Sequence, residues 1–281
     1  MHFLLLALLF TFSIAQDKTI ELEDIFNGTF SSSGVGRFDW VNGEDAYYFS
    51  KSDSEGKHFY KYNLVSNDTT KAFSISNEKI DQFSTTFSSD QTKLLLKTNT
   101  VRLWRHSSYS TYHVYDINTK TIQSVSSRPD SLRNVKFSPN SKYISYVRND
   151  NNLYLYSLET DEESQLTFDG SETILNGHFG WVYEEEFGSY DAYRWSPNSQ
   201  YIAYCREDQS MVKKYPLIDY QTKYPTVKYI YYPKAGEDNP EVSIGLIDIV
   251  NQQSDIRNLP RDSYYIPNIL WQRDSNNFFI T

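Results

Sequence analysis

Phe137-Ser138-Pro139-Asn140-Ser141-Lys142-Tyr143-Ile144-Ser145-Tyr146 is matched almost residue for residue by Trp195-Ser196-Pro197-Asn198-Ser199-Gln200-Tyr201-Ile202-Ala203-Tyr204. Each reads as an aromatic anchor, a turn and then a strand, because Ser, Pro and Asn favour turns while Tyr and Ile favour the pleated half-buried surface of a sheet. Looser copies run from Trp40-Val41-Asn42-Gly43 to Ala46-Tyr47-Tyr48-Phe49, from Phe87-Ser88-Ser89-Asp90 to Leu94-Leu95-Leu96, and from Trp271-Gln272-Arg273-Asp274 to Phe278-Phe279-Ile280. The anchors at 40, 87, 137, 195 and 271 are 47, 50, 58 and 76 residues apart. A repeat of roughly 40–50 residues with several short strands in each is the signature of propeller blades. The stretched intervals place insertions near 176–194 and 206–240.

Around the anchors, Phe49–Leu64, Lys93–Arg102 and Tyr112–Ile117 carry the aromatic and β-branched bias of strands, and no apolar stripe at helical spacing exceeds two turns. The expected fold is therefore all-β: a propeller of four-stranded blades, incomplete, with about four blades and the start of a fifth. A β-sandwich with chance turn similarity is the competing fold. The 24 Tyr, 17 Phe and 5 Trp of the 281 residues suit neighbouring blades that stack through large side chains. Counting from Trp271, one strand of the fifth unit remains, so the chain is expected to stop in mid-blade, as a fragment or with another chain closing the ring.

The formal net charge is -9, which argues against a nucleic-acid partner, since phosphate binding needs a basic face. A lone Cys205 forms no internal disulfide and no zinc site by itself. Met1–Ala15 combines an apolar run, too short to span a bilayer, with small residues at Ser13 and Ala15. It reads as a secretory signal peptide (1–15), leaving 16–281 as the propeller. Asn27-Gly28-Thr29 and Asn67-Asp68-Thr69 are glycosylation acceptors that fit this route, with Asn27 and Asn67 the modified residues.

The segment Asn176-Gly177-His178-Phe179-Gly180-Trp181-Val182-Tyr183-Glu184-Glu185-Glu186-Phe187 falls in the first insertion. On a strand, Glu185 and Glu186 would point to opposite faces; on a short helix both could reach one cavity. Converging carboxylates repel, and a bound ammonium with its three donors relieves the repulsion. A peptide α-amine, with a pKa near 7.7–8.0, is such a cation. The bland alternative is a solvated acidic turn.

Trp-Val-Tyr-Glu-Glu-Glu at 181–186 followed by Trp-Ser-Pro-Asn at 195–198, Trp104-Arg105-His106-Ser107 followed by Tyr112-His113-Val114-Tyr115-Asp116-Ile117, and Tyr232-Pro233-Lys234-Ala235-Gly236 followed by Asn239-Pro240 are three such blocks, spread along the chain. Together they resemble the dipeptidyl peptidase IV family of serine exopeptidases over nearly the whole chain from Lys18. The resemblance implies an eight-bladed propeller capping an α/β-hydrolase domain. It also implies removal of dipeptides from free peptide N-termini. By resemblance, Glu185 and Glu186 bind the substrate ammonium and Arg105 a substrate carbonyl, with Trp181, Tyr183 and Glu184 as supports. A homodimer is a further implication. The chain departs from the family pattern at Gly180, where Asp is usual, and is about one residue shorter around Phe187-Gly188.

The nucleophile elbow Gly-x-Ser-x-Gly does not occur, so no catalytic residue is expected within 1–281, and the α/β-hydrolase domain is expected to be missing. His58, His106, His113 and His178 stand beside no recognisable nucleophile. Neither a metal cluster nor a cofactor loop is expected. Two functions follow: the substrate-recognition part of a secreted or cell-surface exopeptidase, or a non-catalytic secreted or cell-surface propeller that binds protein or peptide.

Overall fold

The computed structural model describes residues 19–32, 36–80, 82–126, 131–251, 253–257, 265–273 and 277–281. The segment expected as a signal peptide lies outside them. Residues 1–37 and 38–281 are separate compact units. In the first, α1 (Leu22–Phe26) begins at a reciprocal cap between Glu21 and Asp24.

The second unit is an incomplete β-propeller. Its first blade is β1 (Phe38–Trp40), β2 (Ala46–Ser52), β3 (Gly56–Asn63) and β4 (Thr69–Ser76); the second is β5 (Ser84–Phe87), β6 (Lys93–Arg102), β7 (Ser108–Asp116) and β8 (Ile122–Ser124). The third is β9 (Arg133–Phe137), β10 (Tyr143–Val147), β11 (Leu153–Ser157) and β12 (Glu163–Gln165). All three are antiparallel meanders in sequence order.

The fourth blade is interrupted twice. It begins with β13 (Ile174–Asn176), leaves the sheet to form the helix α2 (Trp181–Phe187), and returns as β14 (Tyr193–Trp195). Both short strands pair with the same edge of β15 (Tyr201–Asp208): Asn176 lies opposite Arg206, and Tyr193 opposite Tyr204. They are one first strand split by an excursion. Cys205 holds the split together, its carbonyl accepting from Gly177 N–H at 3.0 Å and its N–H donating to the Ala192 carbonyl at 2.8 Å. The second interruption is a hairpin, β16 (Lys214–Asp219) with β17 (Thr226–Tyr231), before β18 (Glu241–Asp248) and β19 (Gln253–Arg257) complete the sheet. A fifth sheet contains β20 (Ile269–Trp271) paired with β21 (Phe278–Ile280).

Two expectations change. The recurring aromatics Trp40, Phe87, Phe137, Trp195 and Trp271 end the first strand of each sheet rather than begin a blade. The fifth sheet consequently has two described strands, not one. Phe49–Leu64 is strand on both sides of a hairpin turned at Asp53–Glu55, where Asp53 Oδ1 accepts from the Glu55 and Gly56 N–H groups.

The turn chemistry explains the repeat. After the anchor, Ser88, Ser138 and Ser196 are buried and donate to the carboxylate or amide oxygens of Asp90, Asn140 and Asn198 at 2.6–2.7 Å. The same hydroxyls accept the N–H of Lys93, Tyr143 and Tyr201. Gln91, Ser141 and Ser199 follow with φ of 57°, 59° and 62°. These last side chains reach across to the previous blade, accepting the N–H of Asn42, Asp90 and Asn140 at 2.8, 3.1 and 2.9 Å. One short motif thus closes its own hairpin and links adjacent blades.

Apolar side chains fill each gap between sheets. Phe59 and Ile75 meet Leu94, Leu96 and Tyr115; Leu95 and Val114 meet Ile144, Tyr146 and Tyr154; Val147 and Leu155 meet Trp195, Ile202 and Ile247. In the third gap Tyr204 lies so close to β18 that a Cβ on Gly245 would sit 2.0 Å from its Cε1. Overpacking of this kind costs about 1–3 kcal/mol. Gly245→Ala is therefore expected to lower the urea midpoint by a corresponding amount, and an unchanged midpoint would show that Tyr204 moves aside freely.

Candidate functional site: the split strand of blade four

Gly180 opens α2 from an extended conformation (φ -78°, ψ -174°), and Gly188 closes it in the left-handed region (φ 63°), where its N–H and that of Ser189 donate to the Tyr183 carbonyl. Such a cap favours glycine, which has no Cβ to clash. Successive residues on a helix are separated by about 100°, so three adjacent carboxylates diverge.

Glu184 is completely buried. Its Oε1 accepts the backbone N–H groups of His106 at 2.6 Å and Ser107 at 2.8 Å, in the tip that joins β6 to β7. Glu185 is mostly buried, and its Oε2 pairs with Arg105 Nε at 3.0 Å. Arg105 is 68% exposed, and this contact uses only Nε, which leaves the guanidinium fork free for another acceptor. An ion pair with one partner this exposed is worth less than about 1 kcal/mol. Glu186 is exposed and lines a cleft of about 450 Å³ with Trp181, Phe187, Tyr232, Lys234 and Tyr265.

The expected supports hold the helix from two sides. Tyr183 is buried, stacks on Phe179 at 4.1 Å, and its hydroxyl accepts the Ile266 N–H at 3.0 Å. Burial raises its pKa, so it remains a neutral packing residue. Trp181 packs against Tyr232 at 4.7 Å. The Tyr-Pro-Lys-Ala-Gly run at 232–236, one of the three resembling blocks, forms a wall of the Glu186 cleft. Asn27 and Asn67 are both exposed; the Thr29 N–H and the Tyr62 hydroxyl donate to their side-chain oxygens. Cys205 is a buried core residue, and no group of potential metal ligands occurs among the described residues.

Sequence reasoning missed the floor of the site. Glu207 on β15 is fully buried, and its Oε2 accepts the Gly180 N–H at 2.9 Å. Burial pushes its pKa up to about 7, against the pull of that N–H and of Arg133. A Cβ at residue 180 would lie 2.8 Å from Glu207 Oε1. An Asp there would press a second carboxylate on Glu207, so the glycine and the buried acid belong together. His178, also buried, is held neutral by desolvation and by the charge of Arg133. Nothing in the strand Tyr201–Asp208 distinguishes Glu207 from the charged residues on either side of it, because burial at a strand end depends on what is inserted above it.

The fold and site define a propeller that presents an acidic helix and an arginine-bearing hairpin side by side. The model of the "Dipeptidyl peptidase IV (DPP IV) N-terminal region" matches residues 88–281, and the chain belongs to that family. A probable dipeptidyl-aminopeptidase B of Talaromyces marneffei is 32% identical over 276 residues, covering 86% of this chain and 30% of that protein. Prolyl endopeptidase FAP of Bos taurus is 33% identical over 243 residues, covering 82% and 30%. The crystal structure of Porphyromonas gingivalis dipeptidyl peptidase 4 superposes with a TM-score of 0.83 at 30% identity, over 94% of this chain and 38% of that one. The chain thus spans about a third of the length of the curated relatives it matches.

Glu207 yields a prediction with a definite sign. Its folded pKa of about 7 exceeds the ordinary 4.5, so the folded state binds the proton more tightly. Stability contributed by the protonated acid is full below about pH 4.5 and is lost as pH rises to about 7. Glu207→Gln mimics the protonated form. It is expected to match the parent near pH 4.5 and to exceed it at pH 8 by an amount on the order of 3 kcal/mol. Parallel urea titrations check this, and equal pH profiles would refute it.

Proposed function

We propose that this chain is the substrate-recognition propeller of a dipeptidyl peptidase IV-like serine exopeptidase, which removes dipeptides from peptides with a free N-terminus. Glu185 and Glu186 receive the terminal ammonium, and Arg105 receives a backbone carbonyl oxygen. The peptide-bond chemistry belongs to an α/β-hydrolase domain outside residues 1–281. The observation that carries this reading is the pairing of Arg105 with Glu185 across 80 residues of sequence, at 3.0 Å, with Glu184 holding the intervening loop. The Glu185 carboxylate and a partly free guanidinium fork, in contact at 3.0 Å, with Glu186 next along the helix, match the ammonium and first carbonyl of an extended peptide. Holding both fixes the scissile bond at a set distance from the N-terminus. Entry through the secretory pathway, with glycans on Asn27 and Asn67, belongs to the same proposal; it places the protein outside the cell or on the extracellular face of the plasma membrane.

The test compares a short free-amine Xaa-Pro peptide with its N-acetyl form. Binding of the free amine alone is expected. Glu185→Gln and Glu186→Gln should each weaken that binding by about 10- to 100-fold, as loss of a charged hydrogen bond does, and leave the acetyl peptide unaffected. Equal affinity for both peptides would sink the ammonium role.

We also propose self-association through the β16–β17 hairpin. It exposes Leu217, Ile218, Tyr220, Tyr224 and Tyr229, and large apolar side chains gathered on one exposed element mark protein contacts. Sedimentation should show a dimer that becomes a monomer when Tyr220 and Tyr224 are replaced by Asp. A parent protein that sediments as a monomer at micromolar concentration would exclude this interface.

A further inference from the structure

Arg133, the first residue of β9, is 3% exposed and is not among the residues that line the Glu186 cleft. Its Nη1 makes only a long contact, 3.4 Å, to the Tyr109 hydroxyl, and its Cζ lies 5.2 Å from the centre of the Tyr109 ring. Nε and Nη2 have no hydrogen-bond partner among the described residues. Glu184 Oε2 and Glu207 Oε1, both buried, have none either. Both acids couple electrostatically to this guanidinium. A buried charge is tolerated only where an opposite charge compensates it. Here one cation serves two carboxylates that belong to different pieces of the site.

The connections run to three elements. Tyr109 lies on β7, directly behind the 103–107 tip that bears Arg105. Next to it, Ser110 and Leu132 exchange backbone hydrogen bonds at 2.9 and 2.8 Å and lock β7 to the segment that enters β9. Glu184 sits on α2 and grips the His106 and Ser107 N–H groups. Glu207 sits on β15 and grips the N-cap of α2. Arg133 occupies a place from which the hairpin tip, the helix and the helix's seat are all addressed by charge.

We propose that Arg133 is a positioning residue for peptide recognition. Its buried charge compensates Glu184 and Glu207 and thereby keeps the Arg105 loop registered against the Glu185–Glu186 helix. It makes no contact with the peptide. The proposal builds on the ammonium reading above for its binding consequence, and stands apart from it for the structural one.

The test uses the whole chain and two readouts. The first is hydrogen exchange at the His106 and Ser107 amides, with the blade-one amides as an internal control of folding. Arg133→Met is expected to speed exchange at those two amides by about tenfold or more, as for an uncompensated buried acid. Arg133→Lys, which keeps the charge, should stay near the parent. Arg133→Met combined with Glu184→Gln should recover slow exchange, because the Gln oxygen still accepts both N–H groups and one buried charge is gone. The second readout is affinity for a free-amine Ala-Pro-Ala peptide, which should fall and recover in the same pattern. Unchanged exchange in Arg133→Met overturns the proposal, as does equal loss in the Met and Lys variants, which would mean packing rather than charge. If Arg133→Met alone does not fold, the double variant decides: slow exchange supports the proposal, and failure to fold or fast exchange refutes it. A parent chain that binds the acetylated peptide equally well refutes the ammonium reading while leaving the exchange result to judge Arg133.

Discussion

A four-stranded antiparallel sheet has two faces and cannot cover either by itself. That constraint governs the 38–281 unit. Each described gap between blades is filled from both sides by aliphatic and aromatic residues, such as Leu94 against Phe59 or Val147 against Trp195. The turns obey the same constraint. Gln91, Ser141 and Ser199 accept a hydrogen bond from the preceding blade, so the apolar contact is held in register by a polar one at its rim. A stack built this way is rigid enough to carry a site assembled from three successive blades.

The site arises where a strand is allowed to fail. The first strand of blade four separates into β13 and β14, both still paired to β15, and the released segment folds as two turns of helix. The helical rotation sends the three acids in different directions, with Glu184 in the interior, Glu185 against Arg105 and Glu186 on the cleft. A run of three identical side chains would be redundant on a surface turn. Here one is structural, one is paired and one is exposed to solvent. The acidic charge is thereby divided between holding the arginine loop and facing the cleft.

Much of the architecture could be read in advance because the propeller repeat is local. The Ser-x-Asn or Ser-x-Asp turn closes on itself within five residues, so Phe137–Tyr143 and Trp195–Tyr201 declare the same hairpin in any context. The position of the strand before each aromatic was harder to see, since Phe38–Trp40, Tyr193–Trp195 and Ile269–Trp271 are only three residues long and lack a full alternation. The resemblance carried Glu185, Glu186 and Arg105 as candidates, and the structure brings Glu185 and Arg105 together and sets Glu186 on the adjoining cleft. Arg133, Glu207 and Gly180 were not legible as a group, because residues 133, 180 and 207 are joined only by the folding of blades three and four.

By itself, then, the sequence determined the all-β repeat, the turn chemistry, the stacking aromatics and the acidic run in an insertion, all of them properties of short stretches or of composition. Tertiary structure alone decided that Glu184 is interior, that Glu185 meets an arginine 80 residues away, and that a fully buried Glu207 takes the seat beneath a glycine. The reason is physical. Burial, charge compensation and hydrogen bonding to a distant loop are properties of pairs of surfaces, and a surface in this fold exists only once a neighbouring blade has closed against it.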